Sequence, residues 1–244
     1  MSSISSIKIV SYNVDAIGSY HHERYKRHAC EIKLYDPDII FIHEIDIRYQ
    51  DSFTNEFPDY IVHNDADTKT SVNDGDESVR SLVLIKSLMK GRYKFKSGKL
   101  RETTMHRYYL SILINGIRII SCHAESWSSN KNKRYEQFKQ IYSLCHAAKM
   151  CPNGYVFLGD LNTENSVGPF TSNKDCKEIE IYGCKTWFGP RMYWLPNPNS
   201  YTKRYDRCFI SNNLEGSLKI IYSPQIDDKI YTSDHDGLLV EIKS

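Results

Sequence analysis

The sequence predicts an α+β fold in which two packed mixed β-sheets form a sandwich flanked by helices. Three observations lead there. Strand-sized apolar runs outnumber helical stretches, and only two segments carry a clear helical stripe. An Asn-Gly pair, Asn115-Gly116, joins two alternating apolar runs, which is a strong hairpin signal. No internal repeat, low-complexity tract or linker interrupts the 244 residues, so residues 1–244 are expected to form a single domain.

The elements follow in order. "SIKIVSYNV" (Ser6 to Val14) is a β-branched run that ends in polar residues and reads as a buried strand. His22 to Leu34 suits a helix, with Tyr25, Ala29 and Ile32 on one side. "YDPD" breaks the chain, and "IIFIHEI" (Ile39 to Ile45) is a second buried strand. Asp65 to Asp76 is acidic and polar and reads as a loop; "SVRSLVLIK" is the next strand. "RYYLSILI" and "IRIISCHA" flank the hairpin turn. Asn132 to Met150 is expected to be helical, with Tyr135, Phe138, Ile141 and Cys145 on one stripe. "GYVFLGDLN" is a further buried strand, Thr163 to Tyr201 reads as irregular, and "RYDRCFI", "SLKIIYS" and "LLVEIKS" complete the sheets.

Composition narrows the class. A hydrophobic fraction of 40%, a charged fraction of 25% and a net charge of +2 are those of an ordinary soluble globular protein. Cations gather between Lys86 and Arg107, at Lys131, Lys133 and Arg134, and at Arg191, Lys203, Arg204 and Arg207. Each cluster suits either a solvated face or a phosphate-facing patch, and Arg107 is the candidate for direct substrate contact. Seven scattered cysteines without a CxxC pair suit a reducing compartment. With no signal peptide and no membrane-length apolar run, a soluble intracellular protein of nucleus or cytoplasm, without membrane association, is expected.

The predicted strands repeatedly end at acidic, amide or imidazole side chains. Asn13, Glu44, His123, Asp160, Asn162, Asp206, Asp234 and His235 all lie in or at the ends of strands. Singly, each has a bland explanation: a turn, an ion pair or a half-buried histidine. Converging on one edge, they form one site. Carboxylates and amides without thiolates suit a hard cation, Mg²⁺ or Mn²⁺. No Walker loop, GxSxG elbow or HExxH helix is present, which leaves metal-assisted attack of water on a phosphoryl group.

The ordered set "SYNVD", "FIHE", "SCHAES", "GDLN", "YDRCF" and "SDHDGL" resembles the endonuclease/exonuclease/phosphatase superfamily, with its DNase I-like fold. Within it the "HAES" and "NVD" motifs, Thr186-Trp187 and "RYYLSILIN" are most similar to the Mg²⁺-dependent 5′-tyrosyl-DNA phosphodiesterase branch. The resemblance implies that Glu44 holds the metal, with Asn13 and Asp15 supporting the first strand end and Asp234 as an outer partner. It implies that Asp160, helped by Asn162, orients and deprotonates the attacking water. His235, oriented by Asp206, would donate to a phosphate oxygen, with His123 and Ser126 on the opposite side and Trp187 lining the substrate groove. The implied activity is hydrolysis of the 5′-phosphotyrosyl bond between a nucleic-acid end and a protein tyrosine, as in repair of topoisomerase-type adducts. The implied partner is single-stranded DNA carrying a tyrosyl adduct, with RNA as a further possibility, and the implied state is a monomer. Other superfamily substrates (abasic or DNase-like cleavage, deadenylation, inositol phosphate hydrolysis) and a nucleic-acid-binding pseudoenzyme are the alternatives. The chain departs from the family pattern at His43, where Gln is usual, at Thr163-Glu164-Asn165 after "GDLN", and at Asp236, where an aromatic is usual. Asp236→Trp is therefore expected to be tolerated, whereas Asp234→Ala or His235→Ala is expected nearly to abolish turnover.

Overall fold

The protein is described by a computed structural model over residues 6–16, 21–65, 79–147, 151–181, 184–188, 202–227 and 230–243. Most of the expected acidic loop, Arg191 and most of the Pro-rich part of the Thr163 to Tyr201 segment lie outside the described residues.

Parallel pairing at two places sets the architecture. Strand β1 (Ser6–Asn13) runs into helix α1 (His21–Lys33), which returns the chain to β2 (Ile39–Asp46) parallel to β1. After the short helix α2 (Gln50–Thr54) come β3 (Tyr60–Asn64), β4 (Val79–Lys86), β5 (Tyr93–Lys99), β6 (Tyr108–Ile114) and β7 (Ile117–Cys122). Helix α3 (Lys131–Cys145) is the second crossover and delivers β8 (Gly154–Asp160) parallel to β7. Helix α4 (Pro169–Ser172), β9 (Cys176–Ile179), β10 (Asp206–Ser211), β11 (Glu215–Ile221), the small ribbon β12 (Gln225–Asp227) and β13 (Ile230–Tyr231), and β14 (Gly237–Lys243) follow.

The strands form two six-stranded mixed sheets, in the orders β11-β14-β1-β2-β4-β3 and β5-β6-β7-β8-β10-β9. Alternation along each strand feeds two faces. Ile7 and Ile9 of β1, Ile39 and Phe41 of β2, Ile112 and Ile119 of the hairpin and Val156 and Leu158 of β8 fill the space between the sheets. Val10 and Tyr12 turn outward onto Tyr25, Ala29 and Ile32 of α1. Ile120 and Phe157 turn outward onto Phe138 and Ile141 of α3. The expected sandwich flanked by helices is the observed one. No described helix is long and apolar enough to cross a membrane.

Several boundaries differ from expectation. Helix α3 is assigned from Lys131 to Cys145, and its buried stripe is Arg134, Gln137, Phe138, Ile141 and Cys145, whereas Tyr135 is exposed. The segment after Thr163 was expected to be irregular but contains α4 and the edge strand β9, paired to β10. The Asn115-Gly116 turn is as expected, with φ of 50° and 75° at its two residues between the paired Ile114 and Ile117.

Parallel pairing brings the carboxyl ends of β1 and β2 in one sheet, and of β7 and β8 in the other, to the same edge. Antiparallel β10 and β14 bring their amino ends there: Asp206 faces Asp160 in register, and Leu238 faces Ser11. Just before that edge Gly159 has φ 135°, and a Cβ placed on it would sit 2.2 Å from the Cys122 carbonyl oxygen. Only glycine lets β8 approach β7 there. Gly159→Ala is therefore expected to destabilise the fold by about 1–3 kcal/mol in urea denaturation; an unchanged midpoint would contradict this packing.

Candidate active site

The site begins with backbone geometry. Asp15 and Asn162, just beyond β1 and β8, and Glu44, among the last residues of β2, all have positive φ, at 50°, 50° and 55°. Such conformations are uncommon for residues with a Cβ and concentrate at functional sites. At Glu44 the cause is a bulge: the β2–β4 register slips between Ile42 and Ile45. The bulge sends His43 in between the sheets and Glu44 to the edge. Buried His43 shares hydrogen bonds with Ser81 Oγ (3.0 Å) and Ser121 Oγ (2.8 Å), one from each sheet, and burial lowers its pKa to about 4.

Asp160 is the hub. Asn13 Nδ2 donates to its Oδ2 at 3.0 Å across the sandwich, and the Asn162 backbone N–H donates to its Oδ1 at 3.0 Å. Asn162 is itself anchored, its Nδ2 donating to the Ala124 carbonyl at 3.0 Å. Asn13 Oδ1 accepts from the Asp15 N–H, so one amide serves both strand ends.

The pKa values of the two histidines on either side of Asp160 are pushed in opposite directions. Arg107 Nη1 donates to His123 Nδ1 at 2.9 Å. A guanidinium is donor-only, so Nδ1 accepts and the neutral ring carries its proton on Nε2, 3.4 Å from Asp160 Oδ2. Burial holds the His123 pKa well below its ordinary value, and Arg107 adds to the effect. His235 is the reverse case. Burial opposes its charge, but the carboxylates of Asp206, Asp160 and Asp234 hold its pKa well above the ordinary value. Its Nδ1–H donates to Asp206 Oδ2 at 2.7 Å. Its Nε2 stands 3.6 Å from Asp160 and 3.8 Å from Asp234, beyond direct hydrogen bonding, and is directed at the space between them.

Burial pushes the Glu44 carboxyl up to about 7; Arg107, with Nη2 3.7 Å away, opposes this, and Asp160 and Asp234 add to it. Among the described residues no group of three His, Cys, Asp or Glu side chains is arranged to hold an ion. Asp15 faces Arg24 at 3.3 Å, and Asp234 Oδ2 accepts from Trp187 Nε1 at 2.9 Å. The donor set thus differs from a closed metal cage. One burdened carboxylate with others nearby fits Mg²⁺, which keeps several waters and takes one or two protein carboxylates plus substrate phosphate.

No family model matches the chain. Its fold, however, is found in solved structures. Truncated Caenorhabditis elegans tyrosyl-DNA phosphodiesterase 2 superposes with a TM-score of 0.79 at 18% identity, covering 98% of each chain. The catalytic domain of human Nocturnin gives 0.68 at 17% identity, covering 98% of this chain and 93% of that one. An endonuclease/exonuclease/phosphatase family protein of Bacteroides thetaiotaomicron also gives 0.68, at 14% identity over 97% of each chain. The chain has the endonuclease/exonuclease/phosphatase fold. In sequence it is similar to tyrosyl-DNA phosphodiesterase 2 of Mus musculus and of Danio rerio, 25% identical to each over 96% of this chain. It spans 65% of the length of the mouse relative. The Danio rerio protein complexed with single-stranded DNA product superposes with a TM-score of 0.73 at 21% identity, covering 98% of this chain and all of that one.

The expected site residues fall into two groups, with Trp187 and with Asp15, tied to Asn13 and Arg24, beside them. Asn13, Glu44, His123, Asp160, Asp206 and His235 form one linked cluster. Asn162, Asp234, Arg107 and Ser126 border it, with Arg107 Nη2 reaching Ser126 Oγ at 3.4 Å. Trp187, expected to line the substrate groove, is half-buried beside the cluster: Tyr205 stacks on it at 5.1 Å and its N–H donates to Asp234. Asp236 corrects an expectation: it is 1% exposed, accepts from the Ser223 N–H at 2.7 Å, and donates from its own N–H to the Thr186 carbonyl. It is a buried tie between loops, with no room for free substitution.

Four positioning residues escaped sequence reasoning. Buried Arg24 of α1 donates to the carbonyls of Val14, Asp15 and Thr232, and its signal was a cation beside the apolar stripe. Ser233 Oγ donates to the Asn13 carbonyl and accepts from the His235 N–H. Thr186 Oγ1 accepts from the Asp206 N–H at 2.9 Å. Glu125, seen in the sequence only as part of "HAES", is fully buried and holds the loop that carries Arg107. It accepts from Thr103 Oγ1, both donors of Thr104, the Met105 N–H and Gln137 Nε2. Burial raises its pKa, yet the Thr104, Thr103 and Gln137 donors carry it below the ordinary carboxylate value. Glu125→Gln replaces one acceptor by a donor facing donors, and is expected to cost about 1–3 kcal/mol. Amide exchange at Thr104 and Met105 should rise in that variant; unchanged exchange and stability would contradict the role.

Proposed function

We propose that the protein is a divalent-cation-dependent phosphodiesterase that hydrolyses a 5′-phosphotyrosyl bond between a nucleic-acid end, preferably single-stranded DNA, and a protein tyrosine. The observation that carries the chemistry is Asp160, a buried carboxylate flanked by one neutral and one cationic imidazole beside the separately burdened Glu44. The substrate class is supported by the similarity to tyrosyl-DNA phosphodiesterase 2 and by the shared fold with its complex with single-stranded DNA product.

Glu44 would hold Mg²⁺, with Mn²⁺ as a substitute, and Asp234 and Asp15 would act behind it. The ion, when bound, neutralises charge on the phosphoryl oxygens. Asp160 orients the attacking water and takes its proton, with Asn13 and Asn162 fixing the carboxylate plane. His235 donates from Nε2 to a non-bridging oxygen, and Asp206 keeps it both charged and aligned. His123, Arg107 and Ser126 face the phosphate from the other side. Donors already aimed at the developing charge need no reorganisation during reaction. The leaving tyrosyl phenol, with a pKa of about 10, departs without a dedicated acid.

The test is a gel assay in Mg²⁺ with two substrates, one carrying a 5′-phosphotyrosyl end and the other an internal abasic site. Release of tyrosine from the first is expected, with loss of activity in excess EDTA. Glu44→Ala and Asp160→Asn are each expected to lower the rate by about 10²–10³ or more. Rapid cleavage of the abasic substrate with none of the first would overturn the substrate reading. Equal rates in wild type and both variants would overturn the residue roles.

A further inference from the structure

We propose that Trp127 is a stacking platform for a nucleobase next to the scissile phosphate, and so a substrate-positioning contact; this rests on the nucleic-acid reading above. Trp127 is 73% exposed and has φ 71°. A bulky side chain in that backbone region costs about 1–3 kcal/mol, and an exposed indole recovers nothing by burial. The conformation is imposed from below. Arg134, itself buried in α3, donates from Nη1 to the Trp127 carbonyl at 2.6 Å and to the Glu125 carbonyl at 2.9 Å. Asn130 adds its N–H to the Trp127 carbonyl and its Nδ2 to the Ser126 carbonyl at 2.7 Å. Buried Arg134 and half-buried Asn130 thus fix the backbone from which the exposed ring projects.

Its place makes that useful. Trp127 directly follows Ser126, whose Oγ lies 3.4 Å from the Arg107 guanidinium that faces Glu44. From Ser126 to Lys133 the chain carries Lys131 and Lys133 on its outer side and no acidic residue, while Arg134 stays buried beneath. Lys133 Nζ donates to Thr104 Oγ1 at 3.1 Å, which places this cation against the loop that carries Arg107. Cations that track phosphates beside an exposed aromatic face are the features that bind single-stranded nucleic acid without sequence preference. A polyanionic strand suits this surface better than the protein side of the adduct.

The test uses binding of a labelled 5′-phosphorylated oligonucleotide in Mg²⁺, read by fluorescence polarisation, so that no turnover is needed. Abasic residues replace the first four nucleotides one at a time. In wild type, one position is expected to weaken binding by about 5- to 150-fold. Trp127→Ala should weaken binding of the intact strand to a similar degree and lose sensitivity to that base, while Trp127→Phe keeps most of the affinity. Equal binding by wild type and Trp127→Ala overturns the proposal. So does an equal loss for intact and abasic strands, or an effect confined to KM for phosphotyrosyl substrates with longer peptides. If tyrosine release is absent but the base-dependent coupling is present, the substrate reading fails and the platform stands. If release is normal and coupling is absent, only the platform falls.

Discussion

One hydrogen bond, from Asn13 Nδ2 at the end of β1 to Asp160 Oδ2 at the end of β8, ties the two sheets together at the edge where the chemistry is proposed. Both partners are about 1% exposed. A buried carboxylate is costly unless its oxygens are satisfied, and Asp160 receives donors from each side of the sandwich. The register of the sheets at this edge, the strained turns after their strands and the reach of both histidines all refer back to it. His43, the register partner of Asn13, makes a second polar crossing with one serine from each sheet.

Charge separation between the two imidazoles follows from what surrounds them. His123 is kept neutral by burial and then by Arg107, which takes its Nδ1 lone pair. His235 is ringed by Asp206, Asp160 and Asp234 and keeps its proton. Two residues of the same type, on either side of one carboxylate, are thereby fitted for different tasks. The loops that hold them rest on residues remote from the chemistry: Glu125 for Arg107, Ser233 and Thr186 for His235 and Asp206, and Arg24 for the turn after β1.

The central strands were legible because they are buried on both faces and read as unbroken apolar runs, as in β2 and β8. Strands β3, β5 and β9 went unread because they lie at or near sheet edges, partly exposed and rich in polar residues. At the site, chemical type at a strand end was enough to find Asn13, Glu44, Asp160 and His235. What a side chain faces was not. Neither the Tyr205 ring stacked on Trp187 nor the burial of Asp236 against Ser223 is written in the local sequence. Glu125 and Arg134 act through contacts between loops distant in sequence or by donating to main-chain carbonyls, which no local pattern records.

The protonation states of the two imidazoles test the central claim most directly. Long-range ¹⁵N–¹H spectroscopy of the histidine rings at neutral pH should show His235 carrying protons on both nitrogens and His123 neutral, with its proton on Nε2. A neutral His235, or a His123 protonated on Nδ1, would contradict the arrangement around Asp160.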